Sequence, residues 1–219
     1  MNTLTKLALS LIAAATFCLI TSTSARADTV VFTNSAAFTA AATGLTTLDF
    51  EGIAPPLSVA NFGSGMTLQG VTFTGATSGM ISVVDSGFFA PLFDFQSGAV
   101  LSGFAFIEAT LPPGITAIGT DLMTTNPTGG SFDVVLSTGE VFTVSTAVRP
   151  DRGFFGVTTD VAISSIRFTT VVTPIRGIPL LDNFSFGQAQ PSNVPEPGTL
   201  VLLGSGIAGI AARLFRRRV

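Results

Sequence analysis

The chain has 219 residues with no His, Trp or Tyr and a single Cys, and only 11% are charged, against roughly a quarter in an ordinary soluble domain. These absences exclude Ser-His-Asp and Cys-His catalysis, histidine-ligated zinc or haem, internal disulfides and cysteine-ligated clusters. The formal charge of −3 hides a division, because residues 28–190 hold four arginines against twelve acids, a net −8, while the other six bases lie toward the ends. A body so acidic, without lysine, has nothing to neutralise a run of phosphates, so no nucleic-acid partner is expected.

In chain order, residues 1–27 are predicted to be a secretory signal peptide. Lys6 supplies the positive start, Leu7 to Ile20 the apolar run, and Ala25-Arg26-Ala27 the small-x-small cleavage site, with Asp28 first in the mature chain. The one cysteine, Cys18, falls inside this segment, and the bulky Phe17 before it does not suit a lipobox.

Residues 28–187 are expected to form the exported domain. One helix is predicted from Ser35 to Thr43, capped by Asn34 or Ser35 and ended by Gly44. In Asp49-Phe50-Glu51, strand geometry would place both carboxylates on one face and Phe50 on the other. Strands are then expected at Val71–Thr74, Ile81–Val84, Phe104–Ile107, Phe132–Leu136, Val141–Val144 and Ile163–Val172, rich in β-branched and aromatic residues. A hairpin is predicted at Ser137-Thr138-Gly139-Glu140, with Gly139 in the left-handed position. Short strands separated by glycine and proline indicate an antiparallel sandwich or barrel.

Residues 188–193, in a stretch rich in Gln, Pro, Ser and Asn, read as a linker, and residues 194–219 as a separate tail. In that tail Pro195-Glu196-Pro197 precedes an apolar stretch, Leu200 to Ala212, and then Arg213, Arg216, Arg217 and Arg218. A helix over Thr199–Leu214 would span roughly 24 Å, close to a bilayer core once flanking arginines snorkel. The positive-inside rule puts the arginines in the cytoplasm and the body outside, the topology the signal peptide also requires. Gly204-Ser205-Gly206-Ile207-Ala208-Gly209 fits a dinucleotide fingerprint, but arginines stand where the acidic ribose partner should follow, and small residues at this spacing suit helix packing in a membrane.

The ordered Pro-Glu-Pro motif, short apolar helix and arginine cluster resemble the PEP-CTERM sorting signal of Gram-negative bacteria. The resemblance implies processing near the motif by an exosortase, from a precursor held in the inner membrane, and delivery to the cell surface or an exopolysaccharide matrix. Parts of the body resemble the β-sandwich domains common among PEP-CTERM proteins: the Phe38 helix leading to Leu48-Asp49-Phe50-Glu51-Gly52, then Gly153-Phe154-Phe155-Gly156-Val157, Ile163 to Phe168, and Leu181 to Gly187. That likeness implies an all-β, antiparallel jelly-roll or lectin-like sandwich with one short N-terminal helix.

First and last strands of a jelly roll are often neighbours, which would bring Asp182 and Asn183 toward Asp49 and Glu51. Carboxylate, amide and carbonyl oxygens together suit calcium. The alternative is that Asp49 and Glu51 are solvated or paired with an arginine and that Asp182 caps a turn. Phe88, Phe89, Phe93 and Phe95 are either core residues or a sugar-stacking loop. Asp49 and Glu51 could also form a glycosidase pair, but the body lacks the Trp and Tyr of a usual sugar platform. The expectation is a non-catalytic surface or matrix interaction protein, with a calcium-assisted carbohydrate-binding module as the alternative and a carboxylate glycosidase as the third reading.

Overall fold

The computed structural model describes residues 28–76, 81–88, 98–148, 151–171 and 177–191, together with Gly206. It divides into a unit ending at Ala189 and a second unit from Gln190 to Val219, of which only Gln190, Pro191 and Gly206 are described. Ala25 and Ala27 of the cleavage site, Pro195-Glu196-Pro197, Arg213 and Arg216 to Arg218 lie outside the described residues, as do Phe89, Phe93 and Phe95. Among the described residues no helix is long and apolar enough to cross a membrane.

The first unit is an antiparallel β-sandwich. Its strands are β1 (Val30–Phe32), β2 (Ala42–Leu48), β3 (Val59–Asn61), β4 (Gly65–Leu68), β5 (Val71–Gly75), β6 (Ser82–Val84) and β7 (Val100–Ser102). They continue with β8 (Phe106–Thr110), β9 (Ala117–Thr124), β10 (Ser131–Leu136), β11 (Val141–Ser145), β12 (Gly153–Thr158), β13 (Ser165–Thr170) and β14 (Pro179–Ala189). One sheet has the order β1-β12-β9-β14-β7-β6-β3, with β2 also paired to β14; the other runs β11-β10-β13-β8-β5-β4. The last strand, β14, pairs with the second strand, β2, whereas the first, β1, pairs with β12.

Between the sheets lies a phenylalanine core, the solution available to a chain without Trp or Tyr. Phe50, Phe73 and Phe184 meet edge to face, with ring centroids 5.7 and 5.2 Å apart, and Phe155 meets Phe168 in the same way. Such contacts add to the burial term, which is about 25 cal/mol for each Å² of apolar surface removed from water. In β10 the alternation of half-buried and buried residues follows the period expected of a strand with one face in the core.

The β10–β11 hairpin forms as the sequence indicates, with Gly139 at φ 93° and the Leu136 N–H bonded to the Glu140 carbonyl. Four expectations change. The helix α1 spans Ser35–Ala40, not Ser35–Thr43, because Ala42 and Thr43 are drawn into the ladder opposite Ala189 and Gln188. The same pairing converts the first two residues of the predicted linker into strand. Phe104 and Ala105 precede β8, Ala105 taking φ 69°. Asp49-Phe50-Glu51 is not strand: β2 ends at Leu48, and Phe50 turns through φ 57° to bury its ring.

Candidate functional site

Strand β9 is buried at every position except Asp121, which is half-buried. Its Ile118 and Leu122 enter the inter-sheet core, whereas Ala117 belongs to a separate apolar cluster with Phe38 and Ala42. Alternation therefore puts Ala117, Gly119, Asp121 and Met123 on the outer face of the larger sheet. The helix α1 packs over part of this face. Its start is fixed by Asn34, whose Oδ1 accepts the Ala37 N–H at 3.1 Å, and Phe38 is its buried residue.

The outer face has a floor of two glycines. Gly119 of β9 and Gly156 of β12 are cross-strand partners. A Cβ on Gly119 would lie 2.7 Å from the Phe38 ring and 2.9 Å from that of Phe154; one on Gly156 would lie 2.8 Å from Phe154 and 2.9 Å from Phe38. The missing side chains let both rings rest on the sheet, with centroids 5.8 Å apart. Phe154 stays half-buried and lines the cleft beside this platform.

A β-bulge supplies the polar half. One edge of β14 pairs with β7 at Leu180 and Leu181, then with β2 from Phe184 onward. Between those partners the register against β9 slips: Asp182 faces Asp121, but Ser185 faces Gly119, so β14 holds one extra residue. Asn183 takes φ 48°, a left-handed conformation that Asn tolerates better than most residues. The extra residue resets the alternation, so Asp182 and Asn183 both serve the outer face while Phe184 returns to the core.

The buried groups are bonded. Asp182 is fully buried; its Oδ1 accepts the Asn183 N–H at 2.6 Å, and its carbonyl accepts the Thr120 hydroxyl at 2.9 Å. Asn183 Nδ2 donates to Asp121 Oδ2 at 2.8 Å. Arg152, just before β12, places Nη1 2.9 Å from Asp121 Oδ2 and 3.7 Å from Asp182 Oδ2. On the far side of the bulge the Thr47 and Ser185 hydroxyls are 2.8 Å apart. Adjacent strands β12, β9, β14 and β2 thus contribute a row of polar groups along a cleft of roughly 580 Å³, within the usual range of about 300–1,000 Å³ for small-molecule sites.

The four residues put forward as calcium ligands are used in two places. Asp182 and Asn183 join the cleft network. In the turn after β2, Asp49 Oδ1 accepts the Glu51 N–H at 3.2 Å, and Glu51 Oε1 accepts the Ala99 N–H at 2.8 Å, anchoring the approach to β7. Among the described residues no group of three or more acidic side chains is placed to hold a metal ion. Phe88 packs against the outer-face cluster of Val84, Val100, Met123 and Leu180. Sequence reading missed Asp121 and Arg152. The signals were present: Asp121 is the one acid in Ala117–Thr124, and Arg152 is one of four arginines between residues 28 and 190.

Residues 193–218 match the family model described as the PEP-CTERM protein-sorting motif. The chain thus carries a PEP-CTERM sorting signal after a β-sandwich domain, and that signal implies an exosortase substrate exported through a membrane-anchored precursor. No curated protein matches the chain. Among solved structures it is similar to a variant of the family 29 carbohydrate-binding module CBM29-2, at 13% identity over 70% of this chain and 98% of that one, with a TM-score of 0.33. It is also similar to the CBM22-1 xylan-binding domain of Paenibacillus barcinonensis, at 15% identity over 64% and 97% with a TM-score of 0.32. The Agl-KA catalytic domain matches at 14% identity over 66% of this chain and 30% of that one, with a TM-score of 0.31. Likenesses this distant pass no ligand or chemistry to this chain.

Proposed function

We propose that this protein is a non-catalytic interaction module delivered to the cell surface or to an exopolysaccharide matrix. Its precursor is secreted by residues 1–27, held in the inner membrane by the apolar helix near its C-terminus, and processed by an exosortase near Pro195-Glu196-Pro197. The observation that carries this reading is the sorting-motif match over residues 193–218. It agrees with the arginine cluster and with the acidic, lysine-free body between the two ends. Replacing Pro195-Glu196-Pro197 with alanines is expected to leave unprocessed precursor in the membrane fraction and to deplete the surface form. Unchanged processing and delivery would overturn the reading.

A second reading, a calcium-assisted carbohydrate-binding module, draws support from Asp121 and Asp182 converging at the cleft. There a calcium ion would have to displace Arg152, which already opposes both carboxylates. Glycoside hydrolysis has weaker support, because it needs two carboxylates flanking the scissile bond. Asp182 is enclosed, leaving Asp121 as the cleft carboxylate with solvent access.

A further inference from the structure

The geometry points to a neutral glycan as the ligand of the Arg152–Asp121–Asn183 cleft, with Phe154 as the apolar surface beneath a sugar ring. This deepens the interaction-module reading and rests on it.

Arg152 and Asp121 form a pair of no net charge, Nη1 2.9 Å from Oδ2, inside a body of net −8. An anionic ligand such as a uronate or phosphate would meet the Asp121 carboxylate and the acidic body around it. A cationic ligand would meet the guanidinium, which is 41% exposed and lines the cleft. An uncharged ligand avoids both penalties, and charge–charge terms are largest in such a partly enclosed site.

Hydrogen-bonding groups line the same cleft: Arg152 holds Nη1 2.9 Å from Asp121 Oδ2, and both side chains keep solvent access, 41% and 13% exposed. Fixed donors thus stand beside a fixed acceptor, the complement of a vicinal diol, in which each hydroxyl both gives and accepts. Thr47 and Ser185 extend the row with groups of the same dual character. Because the bulge and the buried Asp182 hold Asn183 and Arg152, little side-chain freedom remains to be lost on binding.

One wall of the cleft is aromatic. Phe154 is backed by Phe38 and the glycine floor, so one ring is rigid while partly open to the cleft. A pyranose has an apolar face of C–H groups, and a fixed aromatic beside directional polar groups is the combination that orients such a ring.

The test uses protein isolated from expressing cells in mild detergent, with EDTA and, in a parallel arm, without it. It is titrated calorimetrically with cellohexaose, xylohexaose, mannohexaose and maltohexaose, and with hexagalacturonate as the anionic contrast. At least one neutral oligosaccharide is expected to bind, and more tightly than hexagalacturonate. Arg152→Lys keeps the charge against Asp121 and Asp182 but loses the planar fork, and should weaken binding about tenfold with an unchanged melting temperature. Phe154→Ala should weaken it by a similar factor. The proposal is overturned if no neutral probe binds, if the uronate binds best, if EDTA abolishes binding, or if Arg152→Lys binds like the parent. None of these results touches the sorting reading, which the Pro195-Glu196-Pro197 variant tests separately.

Discussion

The two outer faces of the sandwich each carry an arginine–carboxylate pair, and the pairs differ in everything except chemistry. On the six-stranded sheet, Arg167 of β13 bonds Glu108 of β8 through Nε at 2.9 Å, with its guanidinium 4.6 Å above the Phe106 ring. Both side chains are open, 49% and 25% exposed, on an ordinary antiparallel ladder. On the larger sheet, Arg152 meets a carboxylate, Asp182, that is 1% exposed and sits at a bulge where one edge of β14 changes partners. Regular pairing leaves a charged pair standing on a flat surface. A bulge next to a helix and two glycines makes a concave site with its charges partly withdrawn from water. Interruption of the ladder, not the residue types, makes the concave geometry.

The comparison can be broken most forcefully at its buried member. Asp182→Ala removes the acceptor of the Asn183 N–H and leaves Arg152 with one carboxylate. The expected loss is about 3 kcal/mol, a fall in Tm on the order of 10 °C by calorimetry or thermal circular dichroism. A change below about 1 kcal/mol would mean that the bulge does not depend on its carboxylate. Next is the floor. Gly119→Ala drives a Cβ to within 2.7 Å of Phe38 and 2.9 Å of Phe154, and should cost about 1–3 kcal/mol as the rings shift. Smallest is the open pair: Glu108→Ala should change stability by less than about 1 kcal/mol, because exposed ion pairs are screened and leave no buried charge behind. If Glu108→Ala proved as damaging as Asp182→Ala, enclosure would not be what separates the two faces.

Much of this architecture was readable residue by residue. The alternation of Phe132–Leu136 and Val141–Val144, with Gly139 between them, specifies a hairpin because only one register buries both apolar sets. Asn34 signals a helix start for a local reason, its own side chain capping Ala37. Strand β9 was not legible: Ala117-Ile118-Gly119-Thr120-Asp121-Leu122 is covered on both faces, so its polarity does not alternate. The double polar step Asp182-Asn183 within an otherwise alternating Leu181 to Phe186 was visible, and it marks the register shift of β14. Its meaning was not, since a bulge is defined by what the neighbouring strands do.

By itself the sequence determined the acidic, phenylalanine-rich body and the sorting motif of residues 193–218, since such a motif acts through local composition and needs no tertiary partner. It also determined the all-β character, through short-range alternation and turn residues. Only the tertiary structure decided which carboxylates work together. Asp121 and Asp182 are 61 positions apart in the chain, and Arg152 lies between them in sequence. They meet because β9 is flanked by β12 on one side and β14 on the other. That adjacency is a property of long-range pairing, set by burial of the whole core, and no local pattern encodes it.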